Sequence, residues 1–386
     1  MRQRNFAPYF AGNALSASGT WFQNLAAALL VYRLTHSALL LGVLNFAQFA
    51  AILLLAPWTG SAADRFDRRR LLLATQLLAT GLSAALAVLA WTHLARAWVV
   101  ICFALALGVT SAFAIPAQQA LLVSLVERDA LETAVALNSM TYNIARAAGP
   151  ALAALVVTYL GIPAAFALNS GSYLCFAAAV LAVRPRPQER AAGAGLRESL
   201  ALLRREPRLA GFLLVVAAVG FASDPVNTLA PAFAHAFGRR DTVAGFVIGA
   251  FGAGAVTAAF VVAGRVAGSA LRMVVTLLLL GAGILLFALT PWLPLAFLLL
   301  FVAGVGYLAS NTAATTRLQL GVTESQRGRM MALWSIAFLG LRPFASLLDG
   351  AIAAAAGVRA AGTILALPAL MAAATVGVLT LARNRS

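Results

Sequence analysis

Residues Ala38–Thr59 read ALLLGVLNFAQFAAILLLAPWT, residues Gly60–Arg70 read GSAADRFDRRR, and residues Leu71–Thr92 read LLLATQLLATGLSAALAVLAWT. Two runs of 22 residues, apolar on nearly every helical face, flank a segment that holds four arginines. A helix of that length rises roughly 33 Å, the hydrocarbon thickness of a bilayer. Neither run alternates apolar with polar residues, so neither reads as a barrel strand. The unit is a pair of lipid-embedded helices joined by a short basic connection.

The same unit accounts for the rest of the chain. Apolar segments fall at about 6–32, 38–59, 71–92, 97–124, 131–159, 161–183, 208–235, 242–264, 271–290, 293–318, 328–356 and 358–382. A chain of 386 residues with 62% hydrophobic and 10% charged residues leaves no room for a large aqueous domain, since soluble domains carry roughly a quarter charged residues. The fold class is therefore all-α integral membrane, with twelve transmembrane helices. No cleavable secretory signal follows Met1–Arg4, so the first segment is expected to stay in place. Cys102 and Cys175 lie inside apolar runs and read as small core residues, with no disulfide framework and no metal-ligand spacing.

The net charge of +16 comes from 28 basic residues, all of them Arg. With a cytoplasmic N-terminus, 20 arginines fall on the cytoplasmic side, 5 on the other side and 3 within spans. That imbalance follows the positive-inside rule. The expected location is a bacterial inner (cytoplasmic) membrane, multi-pass, with both termini cytoplasmic. The charge is topological, and nucleic-acid binding drops out.

Residues 184–207 form the longest connection and divide the chain into 1–183 and 208–386, a six-helix set on each side. Leu196, Leu200 and Leu203 set against Arg197 and Arg204 suggest a short interfacial helix there, a solvated linker being the competing reading. An offset of 196 pairs Leu137 with Leu333, Tyr142 with Phe338, Arg146 with Arg342 and Gly161 with Gly357. A parallel repeat of six helices is what a two-bundle transporter requires.

Gly60, Asp64, Arg65, Arg68 and Arg69 match the signature between spans two and three of the major facilitator superfamily, Gly-x-x-x-Asp-Arg-x-Gly-Arg-Arg, with Asp67 in place of its second Gly. The whole chain resembles that superfamily. Span five, with Asn138, Tyr142, Arg146 and the pair Gly149-Pro150, resembles the antiporter motif of proton-driven exporters and the branch containing enterobactin and macrolide efflux proteins. The resemblance implies two pseudo-symmetric six-helix bundles and a conformational gate of Gly60, Asp64, Arg65, Arg68, Arg69, Gly149 and Pro150. It also implies that Asp64 and Arg65 latch the cytoplasmic ends of the bundles together. The competing readings are a positive-inside anchor for the basic cluster and ordinary helix packing for Gly149 and Pro150.

Polar residues fall into stripes. Asn138, Tyr142 and Arg146 lie at i, i+4, i+8, as do Trp334, Phe338 and Arg342, and Tyr307, Asn311 and Thr315. Asn13, Thr20 and Asn24 share a face of span one. Polar groups are costly in lipid, so these faces are expected to point inward, and Asn24, Asn138, Tyr142, Arg146, Asn227, Tyr307, Asn311, Trp334, Phe338 and Arg342 are the candidate substrate-binding residues. Interhelical hydrogen bonding without a ligand is the competing reading.

Of 12 acidic residues, only Asp224 and Asp349 sit inside spans. Asp224, next to Pro225 in a segment expected to be broken, is the candidate proton-coupling carboxylate, with a fixed ion pair to Arg146 or Arg342 as its alternative. Asp349, seven residues after Arg342, is expected to stabilise that arginine or to line the outer vestibule. His36, His93 and His235 fall at outward helix ends. No nucleophile and base pair, phosphate loop or metal cluster emerges, so neither an enzyme nor a cofactor is expected. The expected activity is proton-coupled export of a small amphipathic molecule, drug or siderophore-like, by a monomer in a lipid bilayer. Alternatives are an uptake permease of the same fold and a non-transporting scaffold or sensor.

Overall fold

The computed structural model describes residues 6–127, 130–185, 206–261 and 268–383, with the backbone alone described at 60–65 and 327–329 among others. The described residues form helices and short turns, without strands. The first six helices are α1 (Phe6–Thr35), α2 (Ala38–Arg65), α3 (Arg68–Trp91), α4 (Ala97–Leu125), α5 (Leu131–Leu160) and α6 (Ile162–Ala182). After the connection come α7 (Pro207–Thr228), α8 (Ala230–Ala236), α9 (Thr242–Val261), α10 (Ala270–Leu289), α11 (Leu293–Leu320), α12 (Glu324–Ser335), a π-helical segment (Ile336–Gly340), α13 (Arg342–Ala356) and α14 (Val358–Arg383). α7 with α8, and α12 with the π segment and α13, each make one crossing of the bundle. The residues expected to form an interfacial helix, 196–204, lie outside the described residues.

Eleven helices among the described residues are long and apolar enough to cross a membrane, and α1 is not one of them. The reason is its polar face, which is packed against protein. Asn13 donates to Asn138 Oδ1 at 2.6 Å and accepts from Gln118 of α4. Gln23 Oε1 accepts from Ser83 of α3 and Asn169 of α6, each at 2.6 Å. Gln48 of α2 donates to Asn24 at 3.0 Å. The side chains that lower the apolarity of α1 thus tie it to each of the other five helices of its bundle, where hydrogen bonds and close packing replace the hydrophobic drive absent from lipid.

Two features repeat between the bundles. Gly161 and Gly357, paired by the offset of 196, take φ of +86° and +90°, and their N–H groups donate to Val157 and Ala353 at the ends of α5 and α13. That left-handed turn favours glycine. The third helix of each bundle opens on a side-chain cap: Asp67 accepts from Arg70 N at 2.8 Å, and Ser269 accepts from Arg272 N at 3.4 Å.

The bundles meet where α5 packs on α9 and α2 packs on α13. Both seams are made of small residues. A Cβ on Gly245 would stand 2.3 Å from the Pro150 carbonyl oxygen, one on Gly252 2.4 Å from Ala147 Cα, and one on Gly42 2.4 Å from the Ser346 carbonyl oxygen. Side chains tie the same end of the molecule. Arg33 of α1 pairs with Asp241 of the opposite bundle, whose other oxygen lies 3.3 Å from His235 Nε2, and Thr158 meets Thr242 at 2.7 Å. The rings of Tyr32, His36 and His235 cluster at 5.0 to 5.9 Å. The bundles are therefore closed together at the Arg33 end.

Three readings of the sequence need correction. The segment after span two is not a loop from Gly60: α2 continues to Arg65, and only Phe66 and Asp67 turn the chain. Span seven, by contrast, is broken as expected, at Leu229 between α7 and α8, with Asp224 and Pro225 inside α7. Span eleven is interrupted by the π segment. Cys102 and Cys175 are exposed on the outside of the bundle, because an apolar run in lipid is apolar on faces that touch no protein.

Candidate functional site

The site is built from two arginines that cross in opposite directions. Arg146 lies midway along α5, four residues before Pro150, whose ring removes the N–H that would bond the Arg146 carbonyl. Gly149 leaves room for Trp21 of α1, since a Cβ there would stand 2.7 Å from Trp21 Cβ. From this backbone the guanidinium reaches the other bundle. It donates to the Tyr307 hydroxyl at 2.5 Å, and its Cζ stands 4.6 Å from the Tyr307 ring centroid. Buried Tyr307 is flanked by Phe251 at 5.2 Å and Phe338 at 6.3 Å, and Phe338 stacks on Trp334 at 5.0 Å. On the α5 side, Tyr142 is 51% exposed and its ring lies 6.5 Å from that of Trp21. An aromatic wall with a cation set against it is the result.

Arg342 makes the reverse crossing from α13. Its Cζ stands 4.5 Å over the ring of Phe49 in α2, and its Nε lies 3.5 Å from Asp224 Oδ1. The π segment explains why Trp334, Phe338 and Arg342, equally spaced in sequence, do different things. Its wider turn shifts the register, so Trp334 and Phe338 face Tyr307 while Arg342 turns toward Phe49 and Asp224.

Asp224 sits in the last turn of α7 with its side chain wholly shielded. Its Oδ2 accepts from Thr228 at 2.7 Å and from Ser346 at 2.8 Å, and its Oδ1 accepts no hydrogen bond. Of the two partners weighed for Asp224 from the sequence, Arg342 is the one within ion-pair distance. Asp349 neither pairs with Arg342 nor lines a vestibule: it is fully buried and faces Asp224. The sequence places it on the Arg342 face, and its depth inside the bundle is what a linear reading misses.

The remaining candidates are distributed as follows. Asn24 and Asn138 are hydrogen-bonded to Gln48 and Asn13 within the first bundle. Asn227 donates to the Ser223 carbonyl at 3.0 Å and leaves its Oδ1 without a donor. Asn311 Oδ1 and Trp334 Nε1 are also buried without a partner. Gly149 and Pro150 pack against Trp21 and Gly245. Gly60 is described by its backbone alone, in α2, and the side chains of Asp64 and Arg65, expected to latch the opposite end, lie outside the described residues. Arg68 opens α3, and Arg69 donates to the carbonyls of Val180, at 2.9 Å, and Leu181. Arg69 thereby holds the C-terminus of α6, where the helix dipole favours a cation. Sequence reading did not reach Phe49, Thr228 or Ser346; Ser346, four residues after Arg342 on the same face, was the visible clue. No group of three His, Cys, Asp or Glu able to hold a metal occurs among the described residues.

Comparisons with known proteins show what the chain is similar to. A family profile described as transmembrane secretion effector matches residues 1–385. The staphyloferrin A transporter of Staphylococcus aureus is 32% identical over 178 residues, 46% of this chain and 44% of that protein. Macrolide efflux protein A of Streptococcus pyogenes is 24% identical over 233 residues, 58% of each. The chain thus spans about half the length of the curated relatives it matches. Among solved structures, a bacterial homolog of the human lysosomal transporter Spinster, inward-facing and unoccupied, superposes with a TM-score of 0.78 at 14% identity over 97% of both chains.

Proposed function

The chain belongs to the transmembrane secretion effector family, within the major facilitator superfamily, and we propose that it exports a small amphipathic organic molecule, drug or siderophore-like, in exchange for protons. The observation that carries this reading is the double crossing of Arg146 onto Tyr307 and Arg342 onto Phe49. A buried cation is costly in a membrane protein and marks a substrate or ion path. Here each cation is held by an aromatic ring of the opposite bundle, so bundle motion must break or remake both contacts. A scaffold has no use for such bonds.

The aromatic wall of Tyr307, Phe338 and Trp334 suits a flat or apolar body, and Arg146 suits an anionic or strongly polar group. Trp334 Nε1 and Asn311 Oδ1 offer a free donor and a free acceptor beside it. Closure at the Arg33 end supports alternating access, with the substrate path of this state opening at the other end. The excess of arginine on that other side supports cytoplasmic termini in a bacterial inner membrane, and so a site facing the cytoplasm. Residues 1–183 and 208–386 act as the two moving bundles of a monomer.

Thermal melting of the purified protein against macrolides, carboxylate and catecholate siderophores and cationic dyes tests the substrate class. A true ligand raises the melting temperature in proportion to log concentration once it exceeds its Kd. Stabilisation by macrolides or siderophores, weakened by Tyr307→Ala, is the expected result. Stabilisation by none of the panel, or one untouched by that substitution, contradicts the reading.

A further inference from the structure

Three acceptor atoms at the heart of the second bundle accept no hydrogen bond: both oxygens of Asp349, and Asp224 Oδ1, from which Arg342 Nε stands 3.5 Å away. Asp349 has no exposure to solvent and faces Asp224. Arg342, Ser346 and Asp349 stand at i, i+4 and i+7, so one stripe of α13 meets the Asp224 carboxyl with a cation, a hydroxyl and a second carboxyl. A buried polar atom left without a partner costs about 1–3 kcal/mol, more when charged. Three such atoms in one spot of a well-packed bundle require an explanation.

One proton relieves most of that cost. A protonated carboxyl turns from acceptor into donor, so an O–H on Asp349 aimed at Asp224 Oδ1 gives that oxygen its donor and occupies one Asp349 oxygen, leaving the other as the carbonyl of a neutral acid instead of a bare carboxylate. Charge balance agrees. Two ionised carboxylates against Arg342 leave one negative charge in a site shielded from bulk solvent, and a single proton removes it. We propose that Asp224 and Asp349 form one proton-binding site, in which they share a proton under the control of Arg342; this rests on the proton-coupled reading above and adds a second, essential carboxyl to it.

Among the described residues, the charged and titratable groups around the pair are few. Arg342 comes from α13. Arg146 of α5 acts on Asp224 at longer range, with its guanidinium held by Tyr307 of α11. Among its described side chains, α2 sets the Phe49 ring over Arg342. Arg359 of α14 is held by the Ala288 and Thr290 carbonyls, and His235 of α8 by Asp241. Control by Arg342 follows from its position: it is anchored to the opposite bundle through Phe49, so separation of α2 from α13 moves the cation relative to the pair. Closer approach of Arg342 expels the shared proton, and withdrawal lets it return.

Infrared difference spectroscopy across a pH titration, on the purified full-length protein in lipid nanodiscs and in both water and deuterium oxide, tests the site without substrate or transport. The expected wild-type spectrum contains the carbonyl stretch of one buried protonated carboxylic acid per chain. Asp349→Asn abolishes that band, and the protein still folds, because the new amide donates to Asp224 Oδ1 in place of the proton. Asp349→Glu keeps the band with a displaced pH midpoint, and Asp224→Asn moves its frequency by changing the acceptor. A band unaffected by Asp349→Asn, or no such band in the wild type, overturns the proposal. Failure of the exporter reading shows elsewhere, as a protein that carries the band but moves no solute.

Discussion

Arg342→Gln is expected to destabilise the protein by about 3–5 kcal/mol at neutral pH, the cost of stripping the partner from a buried ion pair. The side chain of Asp224 has no solvent exposure, and the Arg342 side chain has 12%. Glutamine is too short to reach both Phe49 and the carboxyl, and it leaves a negative charge among apolar helices. The second substitution Asp224→Asn removes that charge and is expected to restore most of the loss, because the Thr228 and Ser346 hydroxyls donate to an amide oxygen as readily as to a carboxylate. Melting curves of wild type, both single variants and the double variant form a complete cycle. A single variant Arg342→Gln that melts with the wild type would show that the pair is not held as described.

Arg146 carries the second large effect. Its contact with Tyr307 combines a desolvated cation–π interaction of about 2 kcal/mol with a hydrogen bond from a charged donor, about 1.5–3 kcal/mol. A charged donor offered to a ligand is worth about 1.5–3 kcal/mol, so Arg146→Ala is expected to weaken binding of the most stabilising compound of the thermal panel on the order of 100-fold, and to stop its transport. Arg146→Lys keeps the charge but not the planar donor array that spans a ring and a hydroxyl together, and on the order of tenfold is lost. Tyr307→Phe keeps the stacking surface and sits between the wild type and Arg146→Lys. Equal binding by Arg146→Ala and wild type would remove Arg146 from the substrate path.

Some of this architecture was legible along the chain and some was not, for physical reasons that differ by residue. Gly161 and Gly357 could be paired because a left-handed helix end admits little besides glycine. Arg146 and Arg342 stood out because a charge inside an apolar run is rare. Their partners did not, since Phe49 and Tyr307 are ordinary aromatics until the bundles are packed. Asp349 was placed on the correct face of its helix and at the wrong depth. Cys102 and Cys175 show the same limit from the other side: in a bilayer both the buried and the lipid-facing sides of a helix are apolar, so hydropathy locates a span without orienting it. The π segment had no signature at all, and it is what sends Arg342 to Asp224 and away from Phe338. Asp67, the departure from the family pattern, proved to be an N-cap for α3, a role open to aspartate and outside a reading based on the glycine it replaces.

Everted membrane vesicles give the most direct test of proton-driven export through Asp224. With the interior made acidic, protons leaving the vesicle should drive a radiolabelled macrolide or siderophore inward, above vesicles that lack the protein. Accumulation is expected to collapse when a protonophore dissipates the gradient and to be absent from vesicles bearing folded Asp224→Asn protein. Accumulation that survives the protonophore, or that proceeds unchanged with Asp224→Asn, would contradict proton-driven export through Asp224.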